Sequence, residues 1–392
     1  MQSKASEAEL PSNPRRLSIL ILGRLYWPGG VARTLLAEGE QLQQRGHRVH
    51  VVFIRRAKNA IDYRTAASYR VVNCNSIDRR MLSHPLRLLT ISYAPERGPD
   101  ATVDLDLIFK FELGRTRYDV VIYGDTHTAV YAPIFSFLRG EPYIVHVHET
   151  ALKTSSITWK LEERFVLGRA SSVITNSMSQ KVALSEAGVR RVRSIFPGTT
   201  PVSDPPSFDS RSDTAISVTL WDFGRHPEKL AEVARNLSRG AIVLAGAWTE
   251  TSYLSSFRER YRNEIESGRL VVTGPLSEEA LLHLYGTSKV GIRLGYQEFG
   301  PGMGSLEMIG NGLPLVYNRG IGISSYVIDG ENGIKVDADN PTYIASRIEE
   351  LWEDQERWGR MHANNLKLAS RLSWSNHAAA LEDELQAAAR WA

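Results

Sequence analysis

Residues 17–53 read LSILILGRLYWPGGVARTLLAEGEQLQQRGHRVHVVF, and this stretch decides the fold. Leu17 to Gly23 is a continuous apolar run, the pattern of a strand covered on both faces of a parallel sheet. It ends in the turn Arg24-Leu25-Tyr26-Trp27-Pro28-Gly29-Gly30. From Val31 to about Arg45 the apolar residues (Val31, Leu35, Leu42) recur with helical period, Gly46 caps the helix, and His47 to Phe53 is a second strand. The whole is a βαβ unit with a Gly-Gly turn at the carboxyl end of its first strand, where open α/β sheets bind ligands. It is not G-x-G-x-x-G, so the dinucleotide fingerprint is absent.

The same alternation continues outward. Tyr69–Cys74, Asp119–Gly124, Tyr143–His148 and Ser172–Asn176 read as further parallel-type strands with helical stretches between them, and Arg193–Pro197 ends the first half. Residues 197–213 (PGTTPVSDPPSFDSRSD) are rich in Pro, Ser and Asp and form a linker. Strands then resume at Ala215–Trp221, Ala241–Ala245, Leu270–Thr273, Val290–Leu294, Leu313–Tyr317 and Ile334–Val336. Helices are predicted at Pro227–Leu237, 253–266, 277–286, Thr342–Glu353, 355–370 and 374–390. The fold class is therefore α/β: two Rossmann-like doubly wound halves facing a central cleft. The expected organisation is a tail over 1–14, one domain over 15–200, a second over 201–372, and a C-terminal helix over 373–392 packing back toward the first.

A chain of 392 residues with 42% hydrophobic content can bury two cores. One cysteine, Cys74, excludes an internal disulfide framework and a Cys-rich metal site. No apolar run reaches the roughly 18 residues that span a membrane, and the N-terminus lacks a signal-peptide core, so a cytoplasmic location is expected. The net charge of +3 hides an asymmetry: residues 1–200 hold 28 Lys and Arg against 18 Asp and Glu, whereas the remainder holds 19 against 26. A basic first half suits an anionic partner such as a phosphorylated acceptor, a lipid head group or the inner face of a membrane. Nucleic acid is disfavoured, because no aromatic-interleaved basic motif occurs.

Four constellations carry candidate chemistry. Tyr296–Tyr317 reads YQEFGPGMGSLEMIGNGLPLVY: a glycine-rich turn (Gly300, Pro301, Gly302, Met303, Gly304) opens a helix at Ser305, with Glu298 at its entrance and Glu307 in its first turn. Free backbone N–H groups and the helix dipole there form an anion cradle, and the Glu307 carboxylate can take two ribose hydroxyls. Arg225 and Lys229, in GRHPEKL, sit where a strand turns into a helix and can face a pyrophosphate. His146 and His148 share one face of a strand; with no third ligand spaced near them they do not read as a metal pair, which leaves a strand-end His reaching a ligand or a satisfied core histidine. The fourth is the Gly29-Gly30 turn. No G-x-S-x-G elbow, Walker loop or H-E-x-x-H is present.

Taken in order, these segments resemble the GT-B glycosyltransferases of family four, the large retaining group. The likeness runs from about Leu17 to the C-terminus through PGGVARTLLAEGEQLQQRGHRVHVV, RASSVITNSMSQKVALSEAGV, GRHPEK, SEEALLHLYGTSKVGIRLG, SLEMIGNGLPLVYN and VIDGENGIKVDADNPTYIASRIEEL. The resemblance implies that Glu307 holds the ribose of a sugar nucleotide and that Glu298 lies beside the transferred sugar. It implies that Arg225 and Lys229 neutralise the donor diphosphate, that Gly29 and Gly30 approach donor phosphate and acceptor, and that His148 is the strand-end histidine near the donor sugar. The spacing departs in two places. Eight residues separate Glu298 from Glu307 where the family has seven, which the reading assigns to a bulge in the glycine turn. Arg225 and Lys229 are one residue closer than usual, with Leu230 in place of a glycine.

The activity implied is transfer of a sugar from a nucleotide-diphosphate sugar to a hydroxyl acceptor, with retention, without a metal and with no resident cofactor. The donor site would comprise Gly29, Gly30, Arg225, Lys229, Gly300, Gly302, Met303, Gly304, Ser305 and Glu307. The catalytic set would be Glu298, His148, Arg225 and Lys229. The alternatives are a sugar-nucleotide epimerase of the same fold and a non-catalytic nucleotide-sugar-binding partner subunit.

Overall fold

The computed structural model describes residues 15–27, 29–56, 65–72, 100–148, 157–295 and 300–390. They build two parallel sheets. The first comprises β1 (Ser18–Tyr26), β2 (Arg48–Arg56), β3 (Tyr69–Val71), β4 (Val120–Tyr123), β5 (Tyr143–Val147), β6 (Ser172–Thr175) and β7 (Val192–Ser194), in the order β3-β2-β1-β4-β5-β6-β7. The second comprises β8 (Ser212–Val218), β9 (Ala241–Ala245), β10 (Leu270–Gly274), β11 (Ser288–Arg293), β12 (Leu315–Asn318) and β13 (Gly333–Val336), in the order β10-β9-β8-β11-β12-β13.

The helices of the first half are α1 (Gly30–Gln44), α2 (Asp100–Gly114), α3 (Ala132–Arg139), α4 (Ile157–Arg169) and α5 (Met178–Glu186). Those of the second are α6 (Pro227–Asn236), α7 (Thr251–Arg260), α8 (Arg262–Glu266), α9 (Glu278–Thr287), α10 (Met303–Gly310), α11 (Pro341–Glu353) and α12 (Gln355–Arg371), and α13 (Trp374–Arg390) closes the chain. The architecture is the expected α/β pair of doubly wound sheets.

The apolar run of β1 shows why. Leu20 and Leu22 enter the core on one face of the sheet, Ile19 and Ile21 the core on the other, as period-two alternation requires. The crossover α1 runs toward β2 and the crossovers α3 and α4 run the opposite way along the sheet, so right-handed connection puts them on opposite faces. On the α1 face the core is completed by Leu381 and Leu385 of α13, so the last helix covers the first sheet. It is fastened there by an ion pair of Glu382 with Arg45 and a hydrogen-bond contact of 2.8 Å with His47.

Two segments away from the site differ from the sequence reading. The single helix expected over 253–266 is two, α7 and α8, broken at Tyr261, whose φ is −111°. The Tyr261 ring packs 4.9 Å from that of Phe257, and both enter the second core. The linker is also shorter than 197–213, because β8 begins at Ser212, within it. Among the described residues no helix is long and apolar enough to cross a membrane.

Candidate active site

Each sheet reverses its strand order once, between β1 and β4 in the first and between β8 and β11 in the second. Loops leaving the carboxyl ends of such neighbours part and leave a crevice, the place where open sheets hold ligands. The loop after β1 carries Gly29 and Gly30, that after β8 carries Arg225, and that after β11 leads to α10.

Gly29 has extended backbone and N-caps α1; a Cβ there would stand 2.6 Å from the Trp27 ring. Gly30 is one point of contact between the halves, since a Cβ on it would lie 3.2 Å from Cγ of Met303. Small residues in this turn let α10 approach the first sheet.

The glycine turn of the second half is described from Gly300. Gly302 takes φ 73°, a left-handed backbone that glycine alone adopts freely, and N-caps α10. The chain then drops so close to β8 that a Cβ on Gly304 would meet the Val218 carbonyl oxygen at 2.3 Å. α10 starts at Met303, two residues before the expected Ser305, so Glu307 falls in the second turn of the helix and not the first. The Ser305 amide is also not part of an open cradle, because it donates to the Gly302 carbonyl at 3.0 Å. Its hydroxyl is buried and makes no hydrogen bond among the described residues. The amides ahead of it, those of Gly302, Met303 and Gly304, precede the first intrahelical donor. Glu298, with the bulge assigned beside it, lies outside the described residues.

Glu307 is the hinge of the site. Its Oε2 accepts a hydrogen bond of 2.7 Å from the Tyr285 hydroxyl. Its Oε1 is ion-paired with Arg33, which reaches across from α1. Burial and the neighbouring carboxylate push the Tyr285 phenol well above its usual range, so it stays a donor. Beneath the turn lies the buried Arg293, whose Nη2 is 3.5 Å from where a Cβ on Gly302 would sit.

Across the second switch point, the chain leaves β8 through a short 3-10 turn, Phe223–Arg225, and His226 reverses it with φ 49° before Pro227 opens α6. Arg225 is half-buried there. Lys229, in the first turn of α6, is ion-paired with the exposed Asp339 on the loop after β13.

His148 stands at the end of β5 in a buried polar network. Its ring stacks on His146 with centroids 4.3 Å apart. Its Nδ1 lies 2.8 Å from the Asn176 amide nitrogen, while the Asn176 amide oxygen lies 2.6 Å from Nε2 of His146. His146 Nδ1 is 2.8 Å from Glu38 of α1, and His377 of α13 reaches the same Glu38 oxygen at 3.0 Å. The two histidines hold Glu38 far below the usual carboxylate range against the opposing effect of burial. The Glu38 carboxylate raises His146 although burial acts the other way, whereas burial and the His146 charge keep His148 neutral.

The structure thus brings Gly29, Gly30, Gly302, Met303, Gly304, Ser305 and Glu307 to one place, and sets Arg225 and Lys229 beside the same second-sheet crevice. Sequence reasoning missed Arg33, Tyr285 and Arg293. Nothing in their local pattern marks them, because their partners are brought by the fold.

The comparisons agree with this geometry. Residues 28–201 match the family described as Glycosyltransferase Family 4, and residues 223–368 match Glycosyl transferases group 1. The chain belongs to the family 4, group 1 glycosyltransferases of GT-B fold. Among solved structures, this glycosyltransferase superposes on Anabaena Alr3699/HepE, solved in complex with UDP and glucose, with a TM-score of 0.72 and 17% identity over 94% of this chain and 99% of the other. The sucrose-phosphate synthase of Thermosynechococcus elongatus gives a TM-score of 0.73 and 16% identity over 93% and 98%. A stretch of 89 residues is 34% identical to the D-inositol 3-phosphate glycosyltransferase of Corynebacterium kroppenstedtii, covering 23% of this chain. That match spans only a fifth of the curated relative's length.

Proposed function

We propose that this glycosyltransferase moves a sugar, with retention of anomeric configuration, from a nucleotide-diphosphate sugar to a hydroxyl acceptor. The observation that carries the reading is the junction at Glu307. A carboxylate beside a glycine-capped helix N-terminus lies at the meeting point of two sheet switch points. The second switch point is also flanked by Arg225 and Lys229. Glu307 would accept the ribose hydroxyls while the Gly302–Gly304 amides face the diphosphate. As the bond from the anomeric carbon to the diphosphate oxygen breaks, negative charge grows on phosphate, where Arg225 and Lys229 serve as preorganised counter-charges. The acceptor oxygen bonds to the anomeric carbon, and its proton leaves with the diphosphate. Glu298 and His148 are assigned to the transferred sugar.

Two fixed cations at the leaving group make a divalent metal dispensable in this reading. Among the described residues no group of three or more His, Cys, Asp or Glu is arranged to hold one. A thermal-shift screen against UDP-, GDP-, ADP- and dTDP-sugars in the presence of EDTA is the deciding experiment, because a ligand of the native state raises the melting temperature. One nucleotide sugar should stabilise the protein and be consumed only when an acceptor is present. Consumption without acceptor would identify an epimerase, and stabilisation with no turnover a binding subunit.

The acceptor side carries a further mark. α3 and α4 lie side by side on one face of the first sheet and present Ile134, Phe137, Leu138, Leu161 and Phe165 to solvent, with Phe137 88% and Leu138 68% exposed. Exposed Arg164 and Arg169 and the half-buried Arg139 stand among them. Apolar wedges set among arginines suit the interface of an anionic bilayer, and this face would bring the enzyme to a lipid-linked acceptor. The protein should co-sediment with phosphatidylglycerol vesicles and not with phosphatidylcholine vesicles, and Phe137→Ser with Leu138→Ser should abolish it. Equal sedimentation of the double variant would refute this surface.

A further inference from the structure

The buried network behind β5 has a definite proton arrangement. His377 faces an acceptor on each ring nitrogen, the Phe196 carbonyl at 2.8 Å from Nδ1 and Glu38 at 3.0 Å from Nε2. His146 likewise faces Glu38 with Nδ1 and the Asn176 amide oxygen with Nε2. With that oxygen taken, Asn176 can present only its NH₂ to His148, and Nδ1 of His148 must accept. The proton of His148 therefore sits on Nε2, a buried nitrogen with no hydrogen-bond partner among the described residues. Asn176 is itself pinned, because its backbone carbonyl accepts a hydrogen bond from the Tyr326 hydroxyl of the second half.

We propose that Glu38 is a positioning residue for sugar transfer, acting through His146 and Asn176 to fix His148 as a hydrogen-bond donor through Nε2. The proposal rests on the reading above that His148 faces the donor sugar, where an Nε2–H can donate to a sugar hydroxyl and a bare Nε2 cannot. The geometry supplies the logic of the relay. Glu38 is fully buried on α1, and its carboxylate raises His146 and so favours protons on both ring nitrogens, whereas a neutral His146 holds one. Were that proton on Nδ1, the Asn176 amide could turn over, give its NH₂ to His146 and accept from Nδ1 of His148. The donor at the cleft would then become an acceptor. The relay also assigns the closing helix a part in the site, since His377 is the second group in contact with the Glu38 carboxylate.

The test reads the tautomer directly. With 15N-labelled histidine, long-range proton–nitrogen spectra of the whole protein should show His148 protonated on Nε2. The Nδ1-protonated form should appear in Glu38→Gln and in Asn176→Leu, the second of which leaves the Glu38 charge in place and guards against a folding failure in the first. Turnover should fall about tenfold in Asn176→Leu with donor KM little changed, the loss of roughly one hydrogen bond made to the reacting sugar. Wild-type His148 protonated on Nδ1, or both variants retaining the Nε2–H form alone, would overturn the relay. A tautomer that changes as expected while turnover stays normal leaves the relay standing and removes His148 from the donor sugar.

Discussion

Lys229→Ala should lower sugar transfer by about 10²–10³-fold, the effect of deleting one preorganised group that meets charge developing in a transition state. The fold should survive, because Lys229 lies in the first turn of α6 on a partly exposed side chain and its ion-pair partner Asp339 is exposed. Helix and strand content by circular dichroism, together with the initial rate of nucleotide release, would separate the two effects. The pairing with Asp339 makes the result sharper. In Lys229→Ala the Asp339 carboxylate is left without this cation beside the crevice where a diphosphate must enter, so repulsion adds to the lost attraction. Asp339→Asn should then remove this negative charge from beside the crevice and tighten nucleotide binding. Near-normal turnover in Lys229→Ala would remove it from the phosphate site.

Glu307→Ala should weaken nucleotide binding by about tenfold to a hundredfold, since one or two charge-assisted hydrogen bonds to ribose are lost. Calorimetric titration with the nucleotide found by thermal shift is the direct measurement, and unchanged affinity for every nucleotide would count against the ribose role. Arg33 supplies an internal control. It is ion-paired with one oxygen of Glu307 and has to yield that oxygen, or share it, when ribose binds there. Arg33→Ala should therefore bind nucleotide at least as tightly as the wild type, while Tyr285→Phe, which removes the donor that orients the carboxylate, should bind it less tightly.

Much of the architecture could be read from residue order because parallel strands covered on both faces announce themselves as apolar runs. Leu17–Gly23, Tyr143–His148 and Ala241–Ala245 each did so, and the Gly-Pro-Gly turn before α10 marked the site. What escaped was whatever depends on partners distant in sequence. Arg33 and Glu307 are 274 residues apart, and His377 and Glu38 are 339 apart. No local periodicity encodes such pairs, and a Glu in the middle of an amphipathic helix reads as a solvated charge until the fold shows it fully buried. The start of α10 was misplaced for a different reason. Gly302 alone absorbs the turn through its left-handed backbone, which leaves Met303 and Gly304 free to be helical. The two carboxylates assigned to the donor site also fared differently: Glu307 is placed by α10, whereas Glu298 falls outside the described residues.

The return of α13 to the first sheet bears on how the chain is made. β7 is complete at Ser194, and His377 is added to the chain roughly 180 residues later. At about 5–20 residues per second that is an interval of roughly 10–40 s. During it Glu38 has His146 beside it but lacks His377, and the apolar floor that Leu381 and Leu385 will cover lies open. The α1 face of the first sheet therefore stays without the cover of α13 until translation has passed that helix.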